Sequence, residues 1–309
     1  MPISKISEST KNETRAGFVA LIGAPNAGKS TLMNQLVGSK ISIVTHKVQT
    51  TRAVMRGIAI HENCQIVFVD TPGIFAPRRK LDEAMVSTAW GSARDADVSI
   101  FLLDAERGVT DDIEKILGNL DKASGPVLLL LNKIDQVKRE ELLELTAKLN
   151  ELYPFKSTFM VSALKGDGCA ELMDYLATHL PAGPFMYPED QISDLPMRML
   201  AAEVTREKLY LRLHQELPYA SHVETEAWEE KKDGSVKINQ VIYVERQSQK
   251  KIVIGKNGTT IKAISTAARK ELTELTEQKV HLFLFVKVRE NWGDDPDRYR
   301  EMGLEFPSG

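Results

Sequence analysis

One octapeptide constrains this chain more than any other feature. Gly23-Ala24-Pro25-Asn26-Ala27-Gly28-Lys29-Ser30 matches G-x-x-x-x-G-K-[ST]. The apolar run GFVALIG, Gly17 to Gly23, precedes it, and a helical pattern from Gly28 to Val37 follows. That strand–loop–helix setting is what the pattern requires. The glycines let the backbone wrap, its N–H groups and the helix N-terminus face phosphate, and Lys29 adds a full charge. Ser30 can offer its hydroxyl to Mg²⁺, and Thr31 continues the same binding turn.

The surrounding pattern predicts the sheet that such a loop needs. Strands are expected at Val54 to Ile60 and Cys64 to Asp70, separated by three residues and so an antiparallel hairpin. Further strands fall at Val98 to Leu103, Val127 to Leu131 and Ser157 to Val161. Helical stretches at Asp111 to Leu120, Arg139 to Leu152 and Cys169 to Leu180 follow them. Runs such as VLLLL fit strands buried on both faces of a mainly parallel sheet, where ligands bind beyond the carboxyl ends.

Three more motifs stand at those ends. Asp70-Thr71-Pro72-Gly73 fits D-x-x-G, in which the aspartate holds Mg²⁺ and the Gly73 N–H senses a γ-phosphate. Asn132-Lys133-Ile134-Asp135 fits N-K-x-D, whose aspartate accepts both N–H donors on the guanine edge, a pair adenine lacks. Ser162-Ala163-Leu164 offers an Ala163 N–H to guanine O6. Each of these three is weak alone, as a strand-ending turn or a helix cap. Their order along one set of strand ends is what a single nucleotide site demands, and the N-terminal half resembles a translational-type GTPase domain. In the polar segment Ser39 to Arg52, which ends Gln49-Thr50-Thr51-Arg52, a threonine is expected to close on Mg²⁺ and the γ-phosphate. Thr51 is favoured over Thr50; two β-branched residues entering a strand are the alternative. The expected site is therefore Lys29, Thr51, Asp70 and Gly73 for catalysis, with Mg²⁺ on Ser30, Thr51 and Asp70. Many GTPases carry Gln after D-x-x-G to orient the attacking water, but this chain has Ile74. Slow turnover is expected, with water positioned by backbone, a cation or a partner.

The second half reads differently. Pro181 to Pro196 carries four of the thirteen prolines and sustains no period, which marks a stiff linker. A helix is predicted from Met197 to Gln215, then strands His222 to Lys232 and Ser235 to Glu245 joined through Asp233-Gly234. A helix leads into Gly255-Lys256-Asn257-Gly258, a second helix runs to about Glu277, and His281 to Val288 closes as a strand. This order is that of an α+β type II KH domain. G-x-x-G alone carries little weight. Here it opens a helix, holds Lys256 and Asn257, and lies in the window Val241 to Glu290, where ten Lys or Arg face five Glu. The whole chain has 40 Lys and Arg against 43 Asp and Glu, so a basic block sits in an acidic protein and suits an anionic partner. The residues expected to meet single-stranded RNA are Lys250, Lys251, Ile254, Gly255, Lys256, Asn257, Gly258 and Lys262. Phe283 and Phe285, on a fully apolar strand, are expected in the core. Trp292 is left open between packing and stacking.

Two cysteines, Cys64 and Cys169, cannot build a disulfide framework and point to a reducing compartment. No apolar run approaches a membrane span, and the N-terminus lacks the apolar stretch of a signal peptide. The expected organisation is a flexible arm over 1–16, a P-loop GTPase domain over 17–180, a linker over 181–196, a KH domain over 197–292 and an acidic tail over 293–309.

GAPNAGKS, QTTR, DTPG, NKID and SAL, followed by VIGKNG, resemble the Era family of bacterial GTPases, of the TrmE-Era-EngA type. The likeness runs from about Gly17 to Trp292, and Ile74 agrees with the hydrophobic residue that family carries. The resemblance implies a monomeric, cytoplasmic assembly factor that binds 16S rRNA near its 3′ end during maturation of the small subunit and associates peripherally with the inner membrane. It also implies K⁺ as an activator, since the loop asparagine corresponding to Asn26 helps bind that ion in related GTPases. Two other classes compete: an RNA-binding scaffold with a structural nucleotide site, kept alive by Ile74, and a membrane-remodelling GTPase, which lacks the amphipathic insertion helix it would need.

Overall fold

In the computed structural model, which describes residues 13–47, 50–214, 217–290 and 295–307, the apolar runs of the first half assemble into one six-stranded sheet. Its strands are β1 (Arg15–Gly23), β2 (Met55–His61), β3 (Cys64–Asp70), β4 (Val98–Asp104), β5 (Val127–Asn132) and β6 (Thr158–Val161). The spatial order is β2-β3-β1-β4-β5-β6, with only the β2–β3 hairpin antiparallel. Every residue of β3, β4 and β5 is buried, as a sheet covered on both faces requires. Helices α1 (Lys29–Val37), α2 (Lys80–Asp95), α3 (Asp111–Leu117) and α4 (Arg139–Leu152) join the strands, and α5 (Cys169–His179) follows the last of them. The ladders pair Leu21 with Asp70, Gly23 with Leu102, and Asp104 with Asn132. The polar residues of the motifs therefore gather at one end of the sheet.

The expectation passed over α2. Its buried face is Asp82, Ala84, Met85, Ala89, Trp90 and Ala93. Alanines give little hydrophobic contrast, and Gly91 and the hydroxyl residues lower helix propensity, so the 3.6-residue period is faint.

The proline-rich segment binds back onto the sheet. The Ile58 N–H donates to Ile192 O at 2.9 Å, and Ser193 Oγ donates to Arg56 O at 2.7 Å, on the outer edge of β2. Gln65 accepts from the N–H groups of Met186 and Tyr187 and donates to Tyr187 O. An edge strand that would present unpaired backbone groups is in this way covered.

The chain divides into two compact units. The first comprises residues 1–40, 55–76 and 87–194; the second comprises 41–54, 77–86 and 195–309. In the second unit, α6 (Met197–Arg212), β7 (Ser221–Glu230), β8 (Val236–Val244), α7 (Gln247–Ile254), α8 (Thr259–Thr276) and β9 (Val280–Val288) follow the expected order. β8 pairs antiparallel with β7 and parallel with β9. Leu209, Tyr210, Ile242, Val253, Ile264 and Leu272 form the core between helices and sheet. The Asp233-Gly234 turn is tight, with Asp233 Oδ1 accepting from the Ser235 N–H and Gly234 at φ 77°.

One expectation is overturned here. Phe283 and Phe285 are 48% and 51% exposed, not core. The inward row of β9 is Val280, Leu282 and Val286, facing the helices, and the phenylalanines take the opposite face. A strand apolar at every position has no alternation to show which row turns inward. Gln49 and Trp292 lie outside the described residues, as do residues 1–12 of the expected arm.

The second unit also holds Ile41 to Val54. Arg52 is buried, and its guanidinium donates to the carbonyls of Ser221 (2.9 Å), Tyr219 (2.9 Å) and Pro218 (3.3 Å). Arg206 Nη2 donates to Thr50 O at 2.5 Å, and the Val44 N–H donates to Glu207 Oε1 at 3.0 Å. The tail packs as well: Tyr299, Met302 and Leu304 are buried around the short α9 (Pro296–Glu301), and Lys80 Nζ stands 5.8 Å from the Phe306 ring centre.

The two rows of β9 make opposite predictions. Leu282→Ala should cost about 2–5 kcal/mol in urea unfolding, whereas Phe283→Thr should stay within about 1 kcal/mol of the parent.

Candidate nucleotide site and nucleic-acid interface

The phosphate loop is built on unusual backbone. Gly23 has φ +148°, Asn26 φ +63° and Gly28 φ +103°, before Lys29 opens α1. A Cβ on Gly28 would stand 2.1 Å from Asn132 Nδ2, and one on Gly73 would stand 2.8 Å from Pro25. The glycines of two motifs are thus fixed by close approach as well as by φ. Lys29 is buried at 6% exposure, and its ammonium donates to Gly23 O (3.2 Å) and Ala24 O (3.0 Å). Burial pulls its pKa down to about 8, opposed by the Asp70 carboxylate. An anionic phosphate arriving at this loop restores the charge that burial disfavours.

Ser30 Oγ donates to Asp70 Oδ2 at 2.6 Å. This all-oxygen pair suits a small hard cation such as Mg²⁺. Among the described residues no group of three His, Cys, Asp or Glu could hold a metal. Phosphate oxygens and water would therefore complete the shell. Thr71 Oγ1 donates to Leu21 O at 2.7 Å, and the Ile74 N–H donates to Gly23 O at 3.0 Å, which ties D-x-x-G and Ile74 to the end of β1. Ile74 is buried. Thr51 is buried and Thr50 half-buried, both in the second unit.

The loops expected to read the base converge on one side chain. Asn132 Nδ2 donates to Ala27 O at 2.8 Å, while its Oδ1 accepts from the N–H groups of Lys133 (2.8 Å) and Ala163 (3.0 Å). Ser162 Oγ donates to Asp135 Oδ1 at 2.8 Å, and Lys165 Nζ lies 3.5 Å from Asp135 Oδ2. The Ser162 hydrogen bond holds the Asp135 carboxyl below the usual carboxylate range, with Lys165 adding to it. An ionised carboxylate is an acceptor only, which is what two guanine N–H donors require. Leu164 is exposed beside it. Sequence reasoning missed Asp104: its Oδ2 accepts from Lys133 Nζ at 2.5 Å, and no motif flags it.

On the second unit, Gly255 has φ 75° and ψ 169°, Asn257 φ 53° and Gly258 φ 75°, immediately before α8. A Cβ on Gly255 would stand 2.2 Å from Thr260 Oγ1. Lys251, Lys256, Asn257 and Lys262 are exposed; Lys250, Ile254 and the two glycines are half-buried. Lysines around a helix N-terminus can meet a phosphodiester backbone. No helix among the described residues is long and apolar enough to cross a membrane.

Residues 18–133 match the family model described as 50S ribosome-binding GTPase, and residues 216–293 match that of the KH domain. The chain is 71% identical over 294 residues to GTPase Era of Sinorhizobium medicae, with 95% of each chain covered. It is 72% identical over 296 residues to GTPase Era of Agrobacterium fabrum, covering 96% of this chain and 93% of the other. Among solved structures it is similar to Era in complex with MgGDPNP and nucleotides 1506-1542 of 16S ribosomal RNA. That match has TM-score 0.89 and 37% identity over 94% of this chain and 99% of that one. An Aquifex aeolicus Era variant bound to GDP.AlF4- matches with the same figures. An N-terminal P-loop GTPase domain and a C-terminal KH domain, with near full-length identity above two thirds, place this chain in the GTPase Era family.

Proposed function

We propose that this GTPase is a slow, GTP-operated switch that binds 16S rRNA near its 3′ end and the small ribosomal subunit during 16S processing and 30S assembly. The observation that carries the nucleotide half is Asp135, ionised and oriented by Ser162 beside the Ala163 N–H, on loops that Asn132 ties to the phosphate loop. Support for the RNA half comes from the exposed Lys256 and Asn257 at the start of α8 and from the relative bound to nucleotides 1506-1542 of 16S ribosomal RNA.

The chemistry follows from the residues. The phosphate loop and Lys29 bind the triphosphate, and Ser30 and Asp70 would hold Mg²⁺, which neutralises phosphate charge when bound. The Gly73 N–H senses the γ-phosphate. A buried Ile74 offers no general base, so water is oriented by backbone, by K⁺ near Asn26, or by the RNA-bound state. Thr51 is the residue proposed to close on the nucleotide during the GTP-bound part of the cycle. A cytoplasmic monomer that touches the inner membrane peripherally is part of the same proposal and rests on family resemblance.

Three measurements test it. Asp135→Asn should move preference from guanine to xanthine nucleotides, and equal affinity of the parent chain for ATP and GTP overturns the guanine reading. Gly28→Ala should lower GTP affinity more than tenfold, because its Cβ displaces the Asn132 amide from Ala27. In RNA titrations, replacing Lys256 and Asn257 with Asp should weaken binding of single-stranded RNA while leaving GTP affinity in place. Around four phosphate contacts give the parent chain a log–log salt slope near −3, and a flat slope argues against this surface.

A further inference from the structure

Asp104 ends β4, opposite Asn132 in the β4–β5 ladder, and belongs to none of the nucleotide motifs. Its side chain is 8% exposed, and both carboxylate oxygens are engaged. Oδ1 accepts from the Glu106 N–H at 3.1 Å and shapes the turn after β4. Oδ2 takes the Lys133 ammonium at 2.5 Å. Lys133 itself stands at φ +66°, a backbone conformation that non-glycine residues seldom adopt. Its neighbour Asn132 is pinned to Ala27, and Asp135 follows two positions later.

A lysine next to a base-reading carboxylate poses two physical problems. Its four-carbon stem has many rotamers, so any contact it gives a ligand must first overcome the cost of ordering it. Its ammonium is also a ready partner for Asp135, whose oxygens are needed by the base. The Asp104 tether addresses both. It holds the stem in one conformation and occupies the charge at the end of β4, leaving Asp135 to Ser162 and to the more exposed Lys165.

We infer that Asp104 is a positioning residue for guanine-nucleotide recognition: its carboxylate anchors Lys133 in a preset conformation and keeps the lysine ammonium off Asp135. This rests on the guanine reading of Asp135. Asp104 touches no substrate atom; it acts through Lys133.

The test is a double-mutant cycle on the full chain, with GDP and GTP affinities measured by equilibrium titration and thermal melting followed alongside. Asp104→Asn keeps an oxygen for the Glu106 N–H but removes the charge that fixes Lys133, and should weaken both nucleotides about tenfold and equally. Lys133→Met keeps most of the stem, loses the ammonium and leaves a buried carboxylate without its cation. It should lower the melting temperature and weaken binding. Combined with Lys133→Met, Asp104→Asn should restore much of the melting temperature and add no further loss of affinity, because both changes break one tether. Where Asp104→Asn fails to fold, Asp104→Ser, which still offers an oxygen to the turn, takes its place in the cycle.

Parent-like affinity in the Asp104 variant overturns the inference, and so do penalties that multiply in the double variant. A lowered melting temperature with unchanged GDP affinity reduces Asp104 to a turn residue and also overturns it. Failure of the guanine reading looks different: the parent chain itself would bind ATP as tightly as GTP.

Discussion

The nucleotide site depends on the buried carboxamide of Asn132. Three segments far apart in sequence meet there: the phosphate loop through Ala27 O, the base-reading loop through the Lys133 N–H, and the loop after β6 through the Ala163 N–H. An amide is suited to this because it donates and accepts at once, and a buried carboxylate would repel the Ala27 carbonyl. Gly28 is forced by the same arrangement, since any side chain there would occupy the place of the amide nitrogen. The segments expected to hold phosphate and base are thus tied to one another through a single side chain.

Around that body the protein keeps a strong contrast in polarity. Strands β3, β4 and β5 are buried throughout, yet each ends in a polar residue: Asp70, Asp104 and Asn132. Lys29 is the extreme case, a cation whose pKa is pulled down to about 8 by its surroundings. Such a group is poorly satisfied by carbonyls alone and gains most from an anion. The segment bearing Thr50 and Thr51 belongs to the second unit, where Arg52 and Arg206 hold it with buried, charge-assisted hydrogen bonds. The threonines expected from sequence to close on a γ-phosphate thus belong to the second compact unit.

Much of this was legible in the sequence because local patterns carried it. The VLLLL run fits a strand buried on both faces, and the structure has β5 there. The glycine spacing of the phosphate loop announced its backbone. Where sequence reasoning fell short, the signal was non-local. Asp104 looks like any turn aspartate until Lys133, twenty-nine positions on, is placed against it. The alanine-rich face of α2 has too little contrast to show its period. Phe283 and Phe285 share a strand with equally apolar neighbours, and only the helices on one face decide which row is covered. The tail reads only as acidic, yet Tyr299, Met302 and Leu304 are buried, because three scattered apolar residues form no pattern short of the surface that receives them.

The stitching of Ile192 and Ser193 onto β2 has a consequence for synthesis from the N-terminus. The last strand of the first sheet, β6, ends at Val161, but the backbone that seals the hairpin edge emerges only some thirty residues afterwards. A nascent chain halted in that interval carries a complete set of strands and a bare flank. The proline-rich stretch is thus the closing seam of the nucleotide-binding half, and until it emerges the hairpin edge keeps backbone groups that another strand could pair with.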